Sequence, residues 1–302
     1  MIKSADSQPR RTTMDTLEET FKRYEPKEEI PTFPEIGEEA QRIPSVEKAA
    51  EKPQTITLLP PLKLVNTGIP GLDNVLDGGI ADRSLILVCG ETGSHHNTFI
   101  EQILYNHAIE NGKATYYNTE TLSIDIRQEM EQFGWTLQDF LKRGTWTFTN
   151  LRTTDLQQLS ALMPKMLSDD QNIQLATNLS NLKNDLLTKI KTNHWTTIEL
   201  NHLLLNFNLK EVIDLMLYWR AAIRLFGGLH FAVLPIGVHP DNQIKAIESV
   251  ADGVIEFHLR EGPHDYETTM SIRKTKNMLK PLILPFTVSE SGINIETAQR
   301  IT

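Results

Sequence analysis

The sequence predicts an α/β fold: a central, mostly parallel sheet flanked by helices, with antiparallel strands at its C-terminal end. Three observations carry this expectation. Ser84-Leu85-Ile86-Leu87-Val88-Cys89 is a nearly continuous apolar run closed by Gly90, as a strand buried on both faces of a parallel sheet requires. A glycine-bearing turn follows, then a helical stretch from Thr98 to Asn111 stopped by Gly112, then a second β-type run, Ala114-Thr115-Tyr116-Tyr117-Asn118. Strand, helix, strand is a crossover unit whose two strands run parallel. The chain's end reads differently, with short runs at Met270-Ser271-Ile272-Arg273-Lys274-Thr275 and Pro285-Phe286-Thr287-Val288 and a Ser289-Glu290-Ser291-Gly292 turn into Ile293-Asn294-Ile295.

Between these ends the elements alternate. Residues 122–133 read as a helix. Residues 151–193 are poor in strand signals and hold helical candidates at about 154–167 and 176–191. Trp195-Thr196-Thr197-Ile198-Glu199-Leu200 is a strand, Lys210 to Leu225 a helix closed by Gly227-Gly228, and His230-Phe231-Ala232-Val233-Leu234-Pro235-Ile236 another buried strand. No internal repeat is visible.

Composition limits the function classes. The chain has 302 residues, Lys+Arg 30 against Asp+Glu 39, and no apolar run near the roughly 18 residues a membrane span needs. A net charge of -9 argues against a generally basic nucleic-acid binder. The single Cys89 permits neither an internal disulfide framework nor a Cys-ligated zinc cluster. A reducing, cytoplasmic location is therefore expected, and the first residues, lacking an apolar core, give no secretory leader.

Residues 1–55 stand apart, with 9 basic and 12 acidic side chains and six prolines. Such a segment buries too little apolar surface to offset its ordering entropy, so it is expected to be a disordered arm ahead of a single domain at 56–302. Within it Met14, Leu17, Phe21 and Tyr24 share one helical face, the pattern either of a docking helix or of a transient solvated one.

The most informative stretch is Gly90-Glu91-Thr92-Gly93-Ser94-His95-His96-Asn97-Thr98. A phosphate-binding loop has the form G-x-x-x-x-G-K-[ST] between a strand and a helix: backbone N–H groups surround the phosphates, Lys reaches their terminal oxygens, and the hydroxyl holds Mg²⁺. Here strand, turn and helix are in place, and Gly90 and Gly93 fit. His95 stands where the second glycine belongs, His96 replaces the lysine, and Asn97 replaces the magnesium hydroxyl.

With the usual backbone, His95 falls in a conformation easy for glycine that costs a β-carbon residue of order 1 kcal/mol. His96 is shorter than lysine and largely neutral at pH 7. Asn97 offers a carbonyl oxygen, a poorer magnesium ligand than expected there. Triphosphate affinity should fall sharply, although a helix N-terminus still attracts an anion and leaves weak nucleotide binding open. His95 and His96 point apart on a turn, with no third ligand at a recognisable spacing, so the residues give no metal site.

The sequence resembles the KaiC-like branch of the RecA superfamily, with a P-loop fold. Thr67-Gly68-Ile69-Pro70-Gly71-Leu72-Asp73 and Leu76-Asp77-Gly78-Gly79-Ile80 look like the family's entry to its first core strand. Met130-Glu131-Gln132-Phe133-Gly134-Trp135 and Asp139-Phe140-Leu141-Lys142-Arg143-Gly144 look like its M-E-x-x-G-W/Y…L-x-x-G segment. Ala251-Asp252-Gly253-Val254-Ile255, Ser271-Ile272-Arg273-Lys274-Thr275-Lys276, Phe286-Thr287-Val288 and Gly292-Ile293 resemble the closing strands. The likeness spans about residues 60–297; collectively the segments are specific, singly each is weak. Asp139–Gly144 and Val238-His239-Pro240-Asp241 resemble the archaellum motor component FlaH, a regulatory nucleotide binder.

The resemblance implies ATP with Mg²⁺ as cofactor, bound by Gly90, Gly93, Ser94, His95, His96, Asn97 and Thr98, with catalysis by Glu120 and Glu199. Tyr116-Tyr117-Asn118-Thr119-Glu120-Thr121 aligns with a strand that ends in paired glutamates, the second of which is Thr121 here. Ile198-Glu199 stands where the Walker B strand normally ends in Asp. Damage at all three places should remove most phosphoryl transfer, which depends on positioning and electrostatics.

The expected function is that of a pseudo-ATPase: a regulatory or assembly component of a motor or signalling complex. The alternative is a working ATPase in a homo-oligomeric ring. DNA binding follows only from the family's breadth, and the acidic balance counts against it. Arg273, Lys274, Lys276 and Lys280 either approach a neighbouring subunit's nucleotide, as the family implies, or line a solvated strand. Trp135, Trp146, Trp195 and Trp219 are expected as core fillers, and His202, His230, His239, His258 and His264 suggest no shared site.

Overall fold

The computed structural model describes residues 62–119, 121–152, 171–174, 179–262 and 265–295. The N-terminal arm, the helix expected at 154–167, Glu120 and His264 lie outside the described residues. In chain order the strands are β1 (Leu64–Val65), β2 (Ile80–Ala81), β3 (Ser84–Gly90), β4 (Lys113–Asn118), β5 (Trp146–Arg152), β6 (Gln171–Gln174), β7 (His194–Glu199), β8 (Leu229–Pro235), β9 (Gly253–Glu261), β10 (Tyr266–Lys274), β11 (Leu282–Ser289) and β12 (Gly292–Ile295). The helices are α1 (Pro70–Val75), α2 (His96–Ile109), α3 (Ser123–Gln132), α4 (Gln138–Arg143), α5 (Ser180–Lys191), α6 (Asn201–Asn206), α7 (Leu209–Phe226) and α8 (Asp241–Val250).

Ten strands form one sheet in the order β12-β11-β10-β9-β3-β8-β7-β4-β5-β6, and β1 and β2 pair separately. From β9 to β6 every described pairing is parallel, and from β9 to β12 every pairing is antiparallel. The expected mixed sheet is therefore present. All seven residues of β3 are buried, which explains its uninterrupted apolar sequence: Ile86 and Val88 enter one core, while Leu85, Leu87 and Cys89 enter the other.

The first core packs α2 and α3 on one face through Phe99, Ile100, Ile103, Ile126 and Met130. The second packs α5, α7 and α8 on the opposite face through Leu182, Leu186, Leu215, Trp219 and Ile247. All four tryptophans are buried, as expected of core fillers. Helix α7 begins at a capping box in which the Asn208 side chain accepts from the Glu211 N–H and Glu211 returns the bond, and it stops at Gly227. Helix α5 begins at Ser180 rather than at 176.

At the amino ends of the strands Asp252, whose side chain is 4% exposed, ties several elements together. Its carboxylate accepts from Leu85 N (3.1 Å) and Arg224 Nη2 (2.6 Å) and pairs with Arg220 and Lys276. Near this end lie three buried histidines. His107 stacks on Trp195 at 3.6 Å, His194 bonds Thr115 at 2.9 Å, and His230 Nδ1 lies 2.8 Å from Thr196 Oγ1. Burial, the main cause in each, holds all three down to about 4, so they are neutral at pH 7. His230 is tied to Thr196 and to the Gly227 carbonyl.

Candidate functional site

The site is built at the carboxyl end of β3, where the chain turns into α2. Gly90 closes β3, and its carbonyl accepts from Ile236 N (2.9 Å) beyond the end of β8. Glu91 N donates to Phe257 O (3.1 Å), and Ser94 N returns to Glu91 O (3.1 Å). Gly93 has φ 81° and His95 φ 60°, ψ 24°, both left-handed. His95 thus holds the glycine-type conformation that its place in the loop requires, and α2 starts at His96, two residues ahead of the sequence expectation.

The His96 side chain folds back over Gly90 so closely that a β-carbon at Gly90 would collide with the ring. Ser94 Oγ and His96 Nδ1 are hydrogen-bonded at 3.2 Å. Burial, assisted by His95, pushes His96 down to about 4, so the ring at the lysine position is neutral at pH 7. The loop contributes no fixed cation. Asn97 points its Oδ1 into a buried position without a hydrogen-bond partner among the described residues.

One turn later on the same helical face stands Glu101, 1% exposed, in a stripe otherwise filled by Leu104 and Ala108. Its Oε2 also has no partner among the described residues. Burial, then Glu129 and Glu199, raise its carboxyl to about 8. Sequence reasoning missed Glu101, although an acidic residue inside an apolar helical stripe, four positions after Asn97, was the available signal.

Glu199 ends β7, two strands away from β3 with β8 between them. Its Oε2 accepts from Thr119 N (2.8 Å) and Thr119 Oγ1 (3.1 Å), and the buried Tyr116 hydroxyl bonds the same carboxylate. The structure therefore couples Glu199 to the strand end that carries Glu120, which itself lies outside the described residues. Gly90 ends β3, Gly93, Ser94 and His95 lie in the connecting turn, and His96, Asn97 and Thr98 open α2.

On the other side of the loop, Glu91 reaches β9: Oε2 accepts from Leu259 N (2.8 Å), and Oε1 lies 3.3 Å from His258 Nδ1. The Leu259 N–H bond is the main reason that Glu91 is held below the usual carboxylate range, and His258 adds to it. His258, which sequence reading left without a role, thus touches the loop. A groove of about 650 Å³ opens beside Gly93 and His95, walled by Leu259, Tyr266, Glu267 and Phe286.

In the sheet the loop-bearing strand β3 is separated from the acid-bearing strand β7 by one inserted strand, β8. A family model described as ATPase: KaiC matches residues 65–203. A UPF0273 protein of Methanocaldococcus jannaschii is 28% identical over 250 residues, covering 77% of this chain and 96% of its own. One from Thermotoga maritima is 33% identical over 92 residues, 30% of this chain and 38% of its own. The crystal structure of a KaiC-like protein from Pyrococcus horikoshii superposes with a TM-score of 0.57 at 20% identity, covering 78% of this chain and all of that one.

Over residues 65–203 the chain is thus similar to KaiC-type ATPases, and its fold is that of a KaiC-like protein. Arg273 and Lys276 are paired with the chain's own carboxylates, and Lys274 reaches a backbone carbonyl. Arg273 Nη1 donates to Glu256 (2.7 Å) and Glu248 (3.0 Å), Lys274 Nζ to Glu248 O (2.9 Å), and Lys276 pairs with Asp252 (3.4 Å). His239 Nε2 and Asn201 Oδ1, 2.7 Å apart, join the end of β8 to α6. Among the described residues no helix is long and apolar enough to cross a membrane.

Proposed function

We propose that this KaiC-like chain does not hydrolyse ATP and acts as a regulatory or assembly component through protein contacts, with weak or no nucleotide binding. The observation that supports this reading is the His96 ring, neutral and laid over Gly90, at the position from which a lysine would reach the terminal phosphates. On this reading a magnesium triphosphate does not fit the loop as it stands. Its phosphates would meet no fixed cation there, and the left-handed His95 brings a side chain where the pattern has none. The domain then serves as a scaffold whose partners belong to a motor or signalling assembly.

The purified protein is expected to show no magnesium-dependent ATP turnover, and calorimetry with ATP or ADP should give little heat with or without Mg²⁺. Turnover comparable with ordinary family ATPases would reject the reading. The combined variant His95→Gly, His96→Lys and Asn97→Thr restores the loop pattern and should raise ATP affinity by more than tenfold, the scale on which one buried charged contact acts. Unchanged affinity would mean that the present loop is already competent by another route.

One observation favours a second reading, a working ATPase in a homo-oligomeric ring. Glu199 is held at its strand end by Thr119 and Tyr116, as a group that orients a water or a metal must be. Loss of turnover in Glu199→Gln, in a preparation that hydrolyses ATP as a ring, would support it.

A further inference from the structure

We infer that the outer face of α7, with the adjoining edge of α5, is a docking surface for an acidic amphipathic helix of a partner protein. Such a surface gives a chain that acts through protein contacts a defined partner chemistry, and it stands whether or not the chain hydrolyses ATP.

Helices α5 and α7 lie side by side on the second core. Lys183 Nζ sits 5.9 Å from the ring centroid of Tyr218, and Lys191 Nζ 5.9 Å from that of Phe226. Between these two contacts both chains advance by eight residues, 183 to 191 and 218 to 226, so the helices run in the same direction with a seam between their outer faces. Val212, Leu215, Met216, Trp219, Ala222 and Ile223 turn the inner face of α7 to the core.

The opposite face departs from the polar pattern of a surface helix. Leu217, Ala221 and Leu225 recur every four residues and line up along the outside, with Leu217 47% and Leu225 72% exposed. Phe226, 41% exposed, extends the stripe at its end. Single exposed leucines are ordinary, whereas a row of apolar side chains on one solvent-facing stripe marks a contact surface. Ala221 leaves a notch between the two leucines, the kind of hole that a side chain of a second helix fills.

Charge selects the partner. The stripe is bordered by Lys183 and Lys191 on α5 and by Arg224 near the end of α7, while Arg83 donates to the carbonyls of Arg224 and Leu225. Asp214 is the acid on the stripe, and Asp185 of α5 accepts from the Tyr117 hydroxyl at 2.6 Å. The face is thus basic in a chain of net charge -9. A helix with apolar side chains between acidic flanks complements it: the apolar side enters the notch at Ala221, and the carboxylates meet the lysines and arginines. A second copy would set two basic borders against each other. A membrane suits the face less, because so short a stripe buries little in lipid and Asp214 would meet anionic headgroups.

The test uses the full chain and a fluorescein-labelled helical peptide of Leu, Ala and Glu, with leucines at i, i+3, i+4 and i+7 and glutamates on both flanks, read by fluorescence anisotropy. Saturable binding that weakens as NaCl is raised is expected, and a peptide with Lys in place of Glu should bind at least about tenfold more weakly. The double variant Leu217→Gln, Leu225→Gln should weaken binding by about tenfold or more, and Lys183→Gln with Lys191→Gln should weaken it and flatten its salt dependence. All four side chains lie on the outer surface, so melting temperatures should stay near that of the wild type, and Leu279→Gln, at a fully exposed leucine elsewhere, should leave binding unchanged. No saturable binding up to millimolar peptide, equal binding of the Lys peptide, or unchanged binding by the double leucine variant would each overturn the inference. So would binding to phosphatidylserine vesicles without binding to the peptide, which assigns the face to a membrane, or a dimer in sedimentation that the leucine variant dissolves, which assigns it to a second copy. ATP turnover, which decides the functional reading, is not measured here, so the two can fail separately.

Discussion

Replacing Glu101 by Gln isolates one buried carboxyl and gives a clean linkage experiment. The group is 1% exposed on the inner face of α2, and burial with Glu129 and Glu199 nearby holds it at about 8, against 4.5 in an open chain. The folded state thus keeps a proton that the unfolded state has released. Its contribution to stability is fully present below pH 4.5 and is lost as pH rises through 8. Between pH 6 and pH 9 the loss amounts to about 3 kcal/mol for this one group.

The buried histidines near 4 are neutral in the folded state throughout this window, but their unfolded forms titrate near 6.5, so they add stability as pH rises through its lower edge in wild type and variant alike. The carboxyl is therefore read as a difference: urea unfolding in EDTA, at half-unit steps from pH 6 to 9, should show wild-type stability falling by about 3 kcal/mol relative to Glu101→Gln. The amide keeps the carboxyl's shape and carries no charge, so the variant should be the more stable of the two at pH 9. A difference between the two proteins that stays constant from pH 6 to 9 would refute the assignment of a neutral buried carboxyl to α2.

The acid side has the opposite sign. His194 and His230, 7% and 0% exposed and held at about 4 against 6.5, contribute stability that is present above pH 6.5 and lost as pH falls through 4, about 3 kcal/mol each by full titration. Unfolding of the Glu101→Gln protein from pH 7 to 4 should show this loss, and His230→Asn should reduce its slope. At the loop, His95→Gly should leave stability unchanged or raise it by up to about 1 kcal/mol, whereas His95→Val, a branched side chain forced to φ 60°, should lower it by about 1–2 kcal/mol in the same assay. Asp252→Ala removes the carboxylate shared by Leu85 N, Arg220, Arg224 and Lys276 and should cost about 3 kcal/mol or more, measured by thermal unfolding.

These experiments separate interior groups that sequence reading treats alike. His230 and His258 are two scattered histidines on the page of the sequence. In the fold one is locked in the sheet with Thr196 and Gly227, and the other meets Glu91 of the loop. The lysines and arginine of 273–276 looked equally suited to solvent or to a neighbouring subunit. Folding brings Glu248, Glu256 and Asp252 within 3.4 Å of them from α8, β9 and the turn between.

The sequence by itself determined the crossover at 84–118, the antiparallel end and the position of every loop residue from Gly90 to Thr98, because apolar periodicity and glycine placement act over a few neighbouring residues. It also showed that His95 would need a left-handed backbone. Only the tertiary structure decided where the His96 ring lies, and that Glu101 feels the charge of Glu199 although 98 positions separate their numbers. The physical reason is that burial and charge coupling depend on distances set by strand order. A strand inserted between β3 and β7, a helix laid across them and the desolvation that follows have no signature in the spacing of residues along the chain.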